Sequence, residues 1–471
     1  MTVPVSASPG AALRASSRPA PTPQPLRHPP RPAPAVKLYD WPFLFVLGYL
    51  LVEFGRPHNW FPPLGLMRPG MIVLVGGMLG LMARGTLPLK ATLAKHLLAF
   101  WCLMLVLVPF CTNNRVAFNG TRDFGFFLFG ALLPMIAHIN TYERFVKAIK
   151  WWVYIHVPLG LYSITHRGMG VGSFLTDEND FALALNVILP YAFAMAFMEK
   201  KARARIMFFG VVLMLVAAST ATLSRGGFIG LVCVFFMLWL KSPRKVVAAA
   251  LVGVLGLAML VVTPASYWKE MQTIETADQE GDTGAERLYL WGIGWRMFKD
   301  YPVFGVGPSN FQYNNYKYET PEAAARGYHV WGTVAHSLYF TLIPEYGIVG
   351  TTLFASMLIT AWVRRRRVSR RCRDALASGT LSDEDRDRVT TLLQLSAAMD
   401  SSQLTFLVTG AFIAVLYYPH VWVLVTLTVV LENVAAKVLP APVAPLPTVA
   451  RSWSPPRALA GRTSLAGRAA T

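Results

Sequence analysis

Apolar residues in this chain come in long blocks and not in alternation. The blocks cover 41–54, 70–83, 96–111, 124–140, 145–164, 180–198, 205–223, 227–240, 246–263, 336–362, 395–416 and 420–437. Charged residues gather in short clusters between them. In lipid only a helix or a closed barrel satisfies every backbone N–H and C=O, and a barrel strand would alternate with period two. Continuous blocks therefore predict an all-α polytopic membrane protein with about twelve transmembrane helices. Several blocks fall short of the ~20 residues a full span needs, so flanking residues are expected to lengthen those helices.

Composition supports this reading. Mean hydropathy is +0.42, and of the 471 residues 54% are hydrophobic and only 15% charged. A net charge of +19 in a soluble protein would raise nucleic acid as a partner. Here there is no zinc-finger spacing, no RNA-binding signature and no basic stripe interleaved with aromatics, so nucleic acid is set aside. Membrane proteins collect Lys and Arg in their cytoplasmic loops. With the N-terminus inside, the inner loops hold Arg84, Lys90 and Lys95, then Arg144, Lys147 and Lys150, then Lys200, Lys201, Arg203 and Arg205, then Lys241, Arg244 and Lys245. The next inner loop holds RRRRVSRRCR at 364–373. Every inner loop is then basic, which makes the orientation self-consistent.

The division that follows has five parts. Residues 1–37 and 438–471, rich in Pro, Ala and Arg, read as disordered cytoplasmic tails. No apolar core of a cleaved signal lies near the start. Residues 38–262 carry the first nine spans, 263–335 an outer loop, and 336–437 the last three spans around a basic cytoplasmic loop at 363–394. The outer loop is too long for a simple connector. It contains Trp268, Trp291, Trp295 and Trp331, and such residues favour the headgroup level, so a folded cap with short interfacial helices is expected. Cys102, Cys111, Cys233 and Cys372 lack metal-ligand spacing and read as packing residues.

A second set of charges breaks the inside rule. Arg56, Arg68, Arg115, Arg122, Arg167, Arg225, Arg287 and Arg296 fall on the outer side, with almost no lysine among them. Arginine stays charged and grips phosphate oxygens through two parallel N–H groups. An enzyme binding a lipid phosphate at the outer surface would need such a set, whereas single outer arginines are ordinarily solvated or snorkel to the interface.

Four stretches could carry chemistry. In AERLYLWGIGWRMFKDYPVFGVGPSNF, 285–311, a helix over 286–299 puts Arg287, Trp291 and Trp295 along one side. Arg296 then points the other way, so one straight helix cannot aim both arginines at one phosphate. In TLSRGGFIG, 222–230, Arg225 sits in a short outer turn, where it either meets an anion or merely snorkels. In FLTDENDFALALNVILPYAF, 174–193, Asp177 and Asp180 precede a helix; N-capping is the sober account, and orienting the arginines or an acceptor hydroxyl the functional one. In AHSLYFTLIPEYGIVG, 335–350, His336 opens a span whose helical face holds Tyr339, Gly347 and Gly350. A helix N-terminus attracts phosphate and disfavours imidazolium, so His336 could accept a proton there or act only as a cap. Glu345 lies on the opposite face and is expected to pin the break at Pro344 or to pair with an arginine.

The order of these pieces is specific in combination. SRGG in an outer turn, R-x3-W in a large outer loop, P-x2-G-x-G-x3-F after it, then AHS and E-Y-G-x2-G, resembles the O-antigen ligase and polymerase superfamily. EFGRPHNWFPPLGLMRPG at 53–70 and DENDFALALN at 177–186 look closer still to the exosortase-associated O-glycosylation ligases. The likeness runs over roughly 40–437. It implies a GT-C-like membrane glycosyltransferase of the bacterial inner membrane, multi-pass, with its active site facing the periplasm and no metal or other cofactor. Transfer would be inverting, from a glycan on undecaprenyl pyrophosphate to an acceptor hydroxyl of a lipid or protein, among membrane lipids. Arg225 and Arg287 would hold the pyrophosphate and His336 would activate the hydroxyl. Arg56, Arg122, Arg296, Asp177, Asp180, Tyr339 and Gly347 are the expected substrate-binding residues. One departure is Trp291, where ligases often have leucine. The alternatives are a polymerase of the same superfamily, whose acceptor is a second lipid-linked glycan, and an anion transporter. No internal repeat or paired broken helices favour the transporter.

Overall fold

The computed structural model describes residues 38–242, 245–262, 283–325 and 329–439. The expected tails up to 37 and from 440, and loop residues 263–282 with Trp268, lie outside the described residues. Among the described residues every regular element is a helix. The principal ones are α1 (Trp41–Leu50), α2 (Pro69–Ala83), α3 (Thr92–Leu107), α4 (Asn114–Phe127), α5 (Tyr142–Thr165), α6 (Glu178–Met198) and α7 (Ala202–Ala221). They continue as α8 (Arg225–Lys241), α9 (Lys245–Val262), α10 (Thr283–Asp300), α11 (Leu338–Ala377), α12 (Asp383–Thr409) and α13 (Pro419–Val438). One-turn segments are left unnumbered, and α4 runs on through a π turn to His138.

Each apolar block coincides with a helix. Starts are set by side chains that accept the orphan N–H groups of a first turn: Asp40, Asn113, Thr141, Asp177, Ser224, Ser337 and Ser382 all do so. Helix α3 with its final turn, and α6, α7, α11 and α13, are long and apolar enough to cross a membrane; α1, α2 and the start of α9 are shorter apolar helices. The chain is an all-α, multi-pass membrane protein.

Burial separates inner from outer helices. In α6, 83% of the apolar window is buried, against 39% in α7. A helix apolar on all sides and buried on all sides belongs in the middle, and α6 packs against α5, α7, α8 and α12. The second interior helix is α13. Its Trp422 is fully buried and meets the rings of Phe100, Phe124 and Phe354 at 5.0, 4.8 and 5.6 Å, which ties α3, α4 and α11 together.

The basic stretch at 363–394 corrects the sequence reading. It is not a loop: α11 continues to Ala377 and α12 begins at Asp383, leaving 378–382 as the turn. Arg365, Val368, Cys372 and Ala375 are buried on α11, and Val389, Leu392, Leu395 and Met399 on α12. That three-and-four spacing makes a helical hairpin seam. The arginines between the seam positions face outward, which is why composition alone read as a loop.

The cap has its own small core: Leu290, Ile293, Met297, Val306, Phe311, Val330 and Ala335, with Phe340 of α11 packed against it. A second device joins cap and bundle. At Gly347, α11 breaks, with φ 56° and ψ −158°. In an unbroken helix the N–H groups of 348 and 349 would pair with the carbonyls of 344 and 345. Here Ile348 N donates to Pro302 O (2.8 Å) and Val349 N to Val303 O (3.1 Å), while Val306 N donates to Pro344 O (2.9 Å) and Gly307 N to Glu345 O (2.8 Å). The cap strap 302–307 thus takes over all four orphaned groups. A Cβ on Gly347 would lie 2.4 Å from the Val303 backbone, and φ is left-handed, so glycine is required there.

Candidate functional site

His336 stands one residue before the Ser337 cap of α11, with φ 46°. It is therefore not the N-cap. Three contacts fix this bend. Trp291 Nε1 donates to Ala335 O (3.0 Å), the Trp291 ring lies flat on Phe340 (5.2 Å between centroids, 8° between planes), and Ser337 Oγ accepts from Phe340 N (3.4 Å). Trp291 is one turn after Arg287 on α10, so the contact that seats His336 also brings Arg287 to it. The imidazole is half-buried. Burial first, and the Arg287 charge second, hold it below the ordinary histidine range, partly offset by Glu286 and Asp177. The neutral ring is thus a consequence of burial and a neighbouring guanidinium.

Arg225 arrives from another direction. Leu223 takes a left-handed φ of 56° to close the turn after α7, and Ser224 caps α8 by accepting from Gly227 N (2.9 Å). Arg225 is therefore the first residue of α8. The turn is held from α6: Ser224 Oγ donates to Asn179 Oδ1 (2.7 Å), and Asn186 Nδ2 donates to Gly227 O (2.8 Å). The neighbouring Gly226 sits against Phe412, with a built Cβ 3.5 Å from the Phe412 Cβ. Phe412 in turn faces Trp291, 6.5 Å between ring centroids. A continuous line of contacts thus runs from the Arg225 turn through Phe412 and Trp291 to His336.

The acids at this end are engaged with N–H and O–H donors. Asp177 caps α6, accepting from Asn179 N (2.8 Å) and Asp180 N (3.2 Å). Asp180, 6% exposed, accepts from the Tyr418 hydroxyl. Tyr418 lies within electrostatic reach of Arg56, Asp177 and Asp180. Arg56 itself has a left-handed φ of 47° and pairs with Glu53 at 3.6 Å.

Residues 209–355 match the family model described as O-Antigen ligase. Over that segment the chain is similar to the O-antigen ligases. The matched segment starts in α7 and ends in α11, so it contains Arg225, Arg287, the strap, His336 and the Gly347 break. No curated protein matches the chain.

The other expected residues of the matched segment and its flanks have distinct positions. Arg296 donates to Tyr318 O (2.9 Å) inside the cap, on the opposite side of α10 from Arg287, as a straight helix requires. Arg122 is half-exposed on α4 and pairs with Asp123 at 2.9 Å. Tyr339 donates to Leu407 O (3.0 Å) of α12. Gly347 carries the backbone crossing with the strap, so the helical face read across 336–350 ends at the break. Glu345 does pin that break, but through the cap and not through an arginine. It is 2% exposed and accepts from Ser309 N (3.0 Å), Phe311 N (3.1 Å) and the Tyr417 hydroxyl.

Tyr417, Tyr418 and Phe412 escaped the sequence reading. Tyr417 and Tyr418 lie between the last two apolar blocks, where polar aromatics look like interfacial anchors, and Phe412 lies near the end of the first of these blocks. The available signal was YYP at 417–419, two phenols fixed just before a proline that opens a helix.

Proposed function

We propose that the chain is a glycan ligase that moves a saccharide from undecaprenyl pyrophosphate to the hydroxyl of a lipid or protein acceptor. His336 accepts the hydroxyl proton. The acceptor oxygen attacks the anomeric carbon on the face opposite the pyrophosphate, the bond from that carbon to the pyrophosphate oxygen breaks, and configuration inverts. Arg225 and Arg287 hold the charge that builds on the departing pyrophosphate. The observation that carries this reading is the line of contacts Gly226–Phe412–Trp291–Ala335, which draws the Arg225 turn, the Arg287 helix and His336 to one end of the bundle. Asp177 and Arg56, with Tyr418 between them, border the acceptor side, and the exosortase-associated subgroup is the expected branch.

In this reading the bundle has twelve spans, the N-terminus and the α11–α12 turn lie in the cytoplasm, and the cap 263–335 faces the periplasm. The architecture is GT-C-like, and no metal takes part in transfer.

The test is purified protein in detergent, given undecaprenyl-pyrophosphate glycan, candidate acceptors and a chelator. Chelator-resistant product with release of undecaprenyl pyrophosphate is expected, from an acceptor that is a lipid or protein. Use of only a second lipid-linked glycan would make it a polymerase of the same superfamily. Anion flux in proteoliposomes without covalent product would make it a transporter.

A further inference from the structure

At the far end of α8 from Arg225, a cavity of about 440 Å³ opens between α6, α8, α9 and α12. Its walls are largely apolar, and Phe197, Trp239 and Val247 at its edge are exposed, as residues facing lipid are. Two features set it apart from a gap between helices.

The first is an imbalance of charge at its wall. Arg365, 0% exposed, donates to Asp400 Oδ1 (2.8 Å), Thr428 Oγ1 (2.7 Å) and Gln403 Oε1 (2.7 Å). Lys241, which lines the cavity, donates to the other oxygen of the same carboxylate (2.7 Å). Among the described residues two cations therefore share one acid, and the partly exposed Lys241 leaves an excess positive charge at the cavity wall. An ammonium has three N–H groups, so Lys241 can serve Asp400 and an anion in the cavity together.

The second is a pair of unsatisfied polar atoms in the wall. Ser401 is 1% exposed and its hydroxyl has no hydrogen-bond partner; Gln394 Oε1 is buried and also without one. A buried polar atom left unpaired calls for an explanation, and a ligand supplies it. The hydroxyl can donate to a phosphate oxygen beside Lys241. The amide oxygen can accept from a headgroup hydroxyl.

We propose that this cavity binds an anionic phospholipid with a hydroxyl-bearing headgroup, the phosphoglycerol class. Its phosphate meets Lys241 and Ser401, its headgroup hydroxyl meets Gln394, and an acyl chain lies along Phe193 and Phe235. Lys245, set over the Trp239 ring at 5.1 Å, adds positive charge at the same membrane depth.

Thermal unfolding of the full chain in detergent tests this with phosphatidylglycerol, phosphatidylcholine of the same chains, and glycerol phosphate alone. Phosphatidylglycerol is expected to raise the midpoint by about 3–5 °C over phosphatidylcholine. Lys241→Gln and the cavity-filling Ala397→Phe should each remove that difference, and Lys241→Arg should keep it. Equal shifts with both lipids, an equal shift with glycerol phosphate, or a difference that survives both variants would overturn the proposal. If Lys241→Gln does not fold, Ala397→Phe alone decides.

Discussion

The two ends of α8 handle positive charge in opposite ways. At the Arg225 end three carboxylates accept from groups other than guanidinium: Asp177 from two backbone N–H groups, Asp180 from Tyr418, Glu345 from the cap backbone and Tyr417. Glu53 pairs with Arg56. At the Lys241 end a single carboxylate is shared by two cations inside the bundle. The first arrangement ties acids to the backbone and to phenol hydroxyls near the half-buried His336. The second fixes helices to one another and holds a charge in place. The same residue types are held differently according to what the acids are bonded to.

The contrast can be broken most sharply at His336. His336→Ala and Arg287→Ala are each expected to lower transfer by about 10²–10⁴-fold with normal membrane insertion and abundance. Turnover close to wild type in both variants, measured on purified protein, would remove the site from this end. Next in size, Asp400→Asn leaves two cations with a weakened partner and should cost about 3–5 kcal/mol of stability, seen as a lowered unfolding midpoint. Transfer per folded molecule should hardly change, and a large loss of turnover at full stability would show that the two ends act as one.

Glu345→Ala sits between these extremes. It orphans Phe311 N–H and leaves Ser309 N–H only its bond to the Tyr417 hydroxyl, for about 1–3 kcal/mol, with faster protease cleavage inside the cap as the readout. Unchanged cleavage would mean the strap alone holds the cap. The pH profile gives a finer test. His336 is held below the ordinary histidine value of 6.5, and the neutral form is the base, so activity should persist as pH falls through 6.5 and decline only below it. An acid limb at or above 6.5 would assign the proton transfer elsewhere. Smallest of all, Arg296→Ala, which removes a bond within the cap, should reduce transfer less than about tenfold.

Much of this was legible in the chain. Long apolar blocks dictate helices because lipid offers the backbone no other partner, and each block did become one. Arg225 and His336 stood out as polar residues at the ends of such blocks, and Arg287 as an arginine of the outer loop. What could not be read depends on pairing across distance. Nothing local to Pro344–Gly347 shows that residues 302–307 would complete the helix, and nothing local to Trp291 shows that its indole would hold Ala335. The arginine-rich stretch after Trp362 failed for a related reason: a hairpin seam of two residues per seven hides inside a run that looks wholly solvated.

The spliced break in α11 has a bearing on biogenesis. The chain is made from its N-terminus, so the strap 302–307 exists before the helix it completes. When residues 338–349 emerge, the partners for their four orphaned backbone groups are already at the same end of the bundle. A circularly permuted chain that synthesised α11 first would have to carry those groups into lipid bare, at several kcal/mol apiece. The order of segments along the gene is thus part of what lets a glycine-broken helix enter a membrane.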